Sequence, residues 1–200
     1  MNKKKGIAVA IVLALILLIG GTIAFFTDTD TATNEFTLGD EIEISLSETW
    51  NSQDGIGIHP GTTVTKAPSI VNDSQTTPAY VFAEIIVPCY DIDADGTVET
   101  PLFSFTTNAG WTQVGTATVD TDDKTITYVY AYGNASAMTS LAANSTTTTA
   151  VFNSVTLAPT LTAAQKATAP TPTDIVVNAY GIQTDNVGTT PTQVWTNLNQ

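Results

Sequence analysis

After an apolar start, hydrophobic and polar residues alternate with a period of two along much of the chain. Residues 41–47 set Ile42, Ile44 and Leu46 on one face and Glu41, Glu43, Ser45 and Ser47 on the other, the pattern of a half-buried strand. Residues 64–71 predict a second strand. Its Pro68 points to an edge or a bulge, because proline lacks the N–H that a ladder needs. Residues 79–87, AYVFAEIIV, are apolar on nearly both faces, which predicts a central strand in a two-layer core with Glu84 turned outward. Short strand pieces follow at 102–105 and 111–114. Residues 116–120 and 125–132 flank a turn at 121–124 and predict a hairpin. In its second arm Ile126, Tyr128, Tyr130 and Tyr132 share a face, a stripe expected to pack rather than to hold a ligand. Residues 146–157 and 174–183 complete the strands. Residues 160–166 predict one or two helical turns with Thr162 as N-cap, and 193–198 a terminal helix that places Trp195 on the body. No long amphipathic helix is present, and threonine, a strand former, makes up about a fifth of the residues. The predicted fold class is all-β: a jelly-roll-like β-sandwich of about eight to nine strands after an N-terminal signal helix.

The apolar start reads as an export signal. Lys3, Lys4 and Lys5 precede an uncharged run over residues 6–26, whose apolar heart at 7–19 has the length of a signal-peptide core. Gly20-Gly21 ends the helix. Thr22 and Ala24 then offer small residues at the −3 and −1 positions for a cut between Ala24 and Phe25. An uncleaved membrane anchor is the alternative, since with Phe25 and Phe26 the run reaches about 20 residues. The expected organisation is a signal peptide at 1–24, an N-terminal segment at 25–40 and a β-sandwich domain at 41–200. A cut after Ala24 leaves Phe25 and Phe26 at a free terminus, where they read as anchors for a groove.

Charge narrows the partners. The chain has 19 acidic and six basic residues, all lysines, for a net charge of −13. Beyond residue 24, three lysines against 19 acids leave −16. Such a body is repelled by phosphate backbones, so nucleic acid is excluded, and membrane contact is expected only through an uncleaved leader. One histidine, His59, cannot supply an ordinary catalytic zinc site, and one cysteine, Cys89, cannot form an internal disulfide. No nucleophile motif occurs, so no enzymatic activity is expected. Asp91, Asp93, Asp95 and Gly96 match the start of a calcium loop, D-x-D-x-D-G. The twelfth position is Leu102 where such a loop needs a bidentate glutamate, and Glu99 serves only in a different geometry. A solvated acidic turn is the other reading.

The run Gly20-Gly21-Thr22-Ile23-Ala24-Phe25-Phe26-Thr27-Asp28, followed by 32–39 (ATNEFTLG) and 42–46 (IEISL), resembles the start of TasA/camelysin-family proteins. The similarity continues through Glu48, Trp50, Pro60-Gly61, Lys66, Asn72 and Ala79-Tyr80-Val81, and returns in Ala179-Tyr180-Gly181-Ile182-Gln183 with Trp195 beyond. It implies a jelly-roll domain, secreted to the cell surface or biofilm matrix of a Gram-positive cell after processing by a SipW-like signal peptidase. It also implies a homopolymer assembled head to tail by donor-strand complementation, with Phe25, Phe26 and Phe36 as the anchors of the donor strand. The camelysin branch implies instead a cell-surface metalloendopeptidase, and the acidic loop a calcium-dependent surface binding module. Calcium at Asp91, Asp93 and Asp95 is the one cofactor expectation.

Overall fold

The computed structural model describes residues 41–171 and 173–200. The leader, the cut between Ala24 and Phe25, and the anchors Phe25, Phe26 and Phe36 lie outside the described residues. The strands begin with β1 (Ile44–Trp50), β2 (Thr63–Asn72), β3 (Ala79–Tyr90) and β4 (Thr100–Pro101). Then come β5 (Phe103–Thr107), β6 (Trp111–Gln113), β7 (Thr118–Asp120) and β8 (Thr125–Asn134). The last four are β9 (Ala137–Met138), β10 (Thr146–Thr147), β11 (Phe152–Leu157) and β12 (Val176–Gln183). One sheet has the order β1-β2-β11-β5, with β10 also on β2. The other has the order β12-β3-β8-β6, with β4 on β3 and with β7 and β9 on β8. The chain crosses repeatedly from one sheet to the other, so each layer is built from strands distant in sequence. The described residues lie within one compact unit.

The predicted central strand lies between β12 and β8, and its alternation builds the core. Ala79, Val81, Ala83, Ile85, Val87 and Cys89 are fully buried on its inner face, against Ile70, Phe152 and Val155 of the opposing sheet. The outer face is also covered, because Phe82 packs under the terminal helix Pro191–Leu198, with its ring centroid 5.0 Å from that of Trp195. That double burial explains the near-continuous apolar run. The tyrosine stripe packs as expected. Phe105 meets Tyr128 and Tyr130 edge-on, and Trp111 lies on Tyr132. Glu84 faces outward and accepts hydrogen bonds from Asn178 Nδ2 (2.9 Å) and the Tyr180 hydroxyl (3.0 Å). The helix Ala163–Lys166 starts at Thr162 with a reciprocal capping box to Gln165.

Four expectations change. The first strand is displaced toward Trp50, and Leu46 is exposed rather than inward; β1 is an edge strand, and only Ile44 and the preceding Ile42 pack on the core. Pro68 sits in an interior strand, paired with Glu48 on one side. Its carbonyl accepts the Val151 N–H on the other side, so its missing N–H falls where the chain between β10 and β11 leaves regular pairing. That same irregularity splits the strand expected over 146–157 into β10 and β11. Finally, twelve strands replace eight or nine, because short edge pieces such as β4 and β9 are too brief to show a period.

Candidate functional site

The edge strands β1 and β12 lie on the same side of the sandwich. At one end they touch: the Ile44 side chain occupies the space a Cβ on Gly181 would need. At the other end a cleft of about 660 Å³ opens over the first sheet, between the Trp50 end of β1 and the residues 173–175 that lead into β12. Its floor is apolar, with Val64, Leu102, Phe103, Val155, Leu157 and Ile175. Its rim is polar, with Glu48, Trp50, His59, Lys66, Lys166 and Asp174. Among the described residues β12 pairs only with β3, and β1 only with β2, so both strands present an unpaired edge.

The rim is built by cross-strand pairing. Register places Trp50 of β1 opposite Lys66 of β2. Lys66 Nζ makes an ion pair of 2.7 Å with Glu48 and lies 5.5 Å from the centroid of the Trp50 ring. The far edge of that ring packs on Gly55, where an added Cβ would meet it at 3.0 Å. Trp50 is thus held from both sides while 41% of its surface stays in solvent. Sequence reasoning matched Glu48, Trp50 and Lys66 to a family pattern without giving them a role. The signal that joins them is the two-residue spacing of Glu48 and Trp50 on one strand face.

The second candidate is the loop after β3. One carboxylate oxygen from each of Asp91, Asp93 and Asp95 lies within 4.8 Å of the others. Asp91 is buried and Asp93 and Asp95 are exposed. Asp91 Oδ1 accepts from Ala94 N (2.7 Å) and Oδ2 from Gly96 N (2.9 Å). Burial alone would raise its pKa, but these amides outweigh burial and hold it below the ordinary aspartate value. Glu99 moves the other way: desolvation first, then the charges of Asp95, Asp93 and Asp91, push its pKa up. One Glu99 oxygen is buried without a hydrogen-bond partner among the described residues. The structure thus brings together the three predicted aspartates and adds Glu99 to their electrostatic surroundings.

Cys89 is buried, and desolvation, followed by the charge of Glu99, pushes its thiol up to about 11. It stays protonated near neutrality and is no nucleophile. His59 lies on the cleft rim, apart from the aspartates' cluster.

Fold and sites together define an all-β sandwich with an open edge cleft and an acidic loop. Residues 1–96 match the family model described as camelysin metallo-endopeptidase. The resemblance read from the sequence is thereby shown over the first 96 residues, which match the camelysin family, the family that includes TasA. The match supports a cell-surface protein of this family, cell-surface or secreted. No curated protein and no solved structure matches the chain. Among the described residues no helix is long and apolar enough to cross a membrane.

The family's description points toward peptidase activity, against the expectation of no enzyme. A peptidase of that description needs a catalytic metal, and the described residues do not fit one. The only grouping of three or more metal-ligating side chains among them is the three aspartates, whose hard oxygens suit calcium rather than zinc.

Proposed function

We propose that the chain is a secreted structural subunit of cell-surface or biofilm-matrix fibres, and not an enzyme. A SipW-like peptidase cuts between Ala24 and Phe25, and the freed segment 25–40 of one copy docks as a donor strand on the next. The observation that supports this most directly is the apolar cleft at the Trp50 end of β1, on a sandwich whose strands β1 and β12 each have an unpaired edge among the described residues. A ten-residue segment spans about 33 Å when extended, enough to follow either edge. Each backbone hydrogen bond adds about 1 kcal/mol net, and burying Phe25 or Phe26 about 1.5–3 kcal/mol. Ordering the segment costs on the order of 10 kcal/mol, so the aromatic anchors decide whether it docks. The test compares residues 25–200 with residues 36–200 by electron microscopy. Fibres from the longer chain only are the expected outcome, and equal fibre formation by both overturns the proposal. Casein hydrolysis abolished by a chelator would favour the peptidase reading instead.

A second reading rests on the acidic loop. Three convergent carboxylates suit a weak calcium site that makes the loop a calcium-dependent binding module. Calorimetric titration should show binding in the millimolar range or tighter, lost in Asp93→Asn; no heat at millimolar calcium removes this reading.

A further inference from the structure

The cleft rim gathers nearly all the positive charge that residues 41–200 possess. These residues contain fifteen acids, three lysines and no arginine. Two of the three lysines, Lys66 and Lys166, line the cleft, as does His59, the only histidine. The third, Lys124, is committed to the carbonyl of Thr168 at 3.0 Å. Lys66 gives one of its three ammonium donors to Glu48, at 2.7 Å, and its side chain, 11% exposed, lies against the Trp50 ring at the cleft rim. Lys166 stands exposed at the end of the helix Ala163–Lys166, its ammonium without a partner among the described residues. Glu48 and Asp174 share the rim, so it is close to neutral, in contrast to the strong negative charge of the rest of the molecule.

The segment proposed to dock there has the opposite character. Residues 25–40, FFTDTDTATNEFTLGD, carry Asp28, Asp30, Glu35 and Asp40 and no basic residue. Asp28 and Asp30 are two positions apart, so in an extended strand they share one face. Phe25 and Phe26 precede them and suit the apolar floor. Away from the rim, residues 41–200 of a neighbouring copy carry thirteen acids and one lysine.

We propose that Lys66 and Lys166 recognise Asp28 and Asp30 of a second copy, and that this charge pairing fixes the register in which the leading segment enters the cleft. The inference rests on the head-to-tail reading above and adds the residues that select the partner. Rim charges act chiefly on the rate and register of docking, and their effect fades with salt. The fold is largely indifferent to Lys166, which is exposed, whereas Lys66→Gln also removes the ion pair to Glu48.

The experiment uses the full chain, expressed with its leader in a Gram-positive host and recovered in exported form. Lys166→Glu and Lys66→Gln should each slow fibre elongation at low salt, by about tenfold for the pair combined, with the deficit shrinking at high salt. Asp28→Lys with Asp30→Lys should fail to elongate alone, and should regain elongation when combined with Lys66→Glu and Lys166→Glu. Circular dichroism and melting curves on every variant separate loss of folding from loss of docking. If the unaltered protein elongates only with its leading segment while the charge variants elongate normally, or the reciprocal swap does not restore growth in folded protein, this inference is overturned and the head-to-tail reading stands. If the unaltered protein elongates equally without that segment, the head-to-tail reading falls and takes this inference with it.

Discussion

At the scale of single residues, two neighbouring carboxyls pull stability in opposite directions. Glu99 has a raised pKa in the fold, through burial first and the three aspartates second. A raised value means the folded state holds the proton more tightly, so stability falls as pH climbs through the range above the ordinary glutamate value of 4.5. Asp91 has a lowered pKa, so its contribution is complete above 3.8 and is lost as pH falls below it. Glu99→Gln is therefore expected to raise the melting temperature at pH 7 in calcium-free buffer, with the advantage vanishing below pH 4.5. Thermal scans across that range check it, and an unchanged or lower melting temperature at pH 7 contradicts it.

At the scale of elements, the contact between β1 and β12 depends on one missing side chain. A Cβ on Gly181 would collide with Ile44, so Gly181→Ala is expected to push the two edges apart and to destabilise by about 1–3 kcal/mol, read as a lower urea midpoint. An unchanged midpoint would show that the edges are not in tight contact. The elements themselves were legible to different degrees. The strand from Ala79 and the tyrosine stripe announce themselves because burial on both faces, or at period two, leaves a local pattern. The interior position of Pro68 does not, because it depends on where a distant segment around Val151 stops pairing. The outward turn of Leu46 likewise reflects the position of β1 at an edge, which alternation cannot reveal. The aspartates were visible as a spacing. The cleft was not, since it joins Glu48 to Asp174 across most of the chain, and only the topology brings them together.

At the scale of the whole molecule, excess charge opposes compactness. Residues 41–200 carry a net charge of −12, and the one salt bridge among the described residues, Lys66 to Glu48, offsets little of it. Raising ionic strength from about 0.01 M to about 0.15 M shortens the screening length from about 30 Å to about 8 Å. The melting temperature of the domain is therefore expected to rise with sodium chloride over that interval. A fall would mean that attractive pairs outweigh the general repulsion. The outer face of β3 adds one charge to this balance, Glu84, beside the uncharged Phe82, Tyr180 and Trp195.

The scarcity and placement of lysine also decide how the domain responds to chemical handling. Lys66 and Lys166 border one opening, and Lys124 is fastened to Thr168 two residues beyond Lys166. An amine-reactive dye would therefore mark the lysines of the folded domain near that opening, apart from the chain's terminal amine.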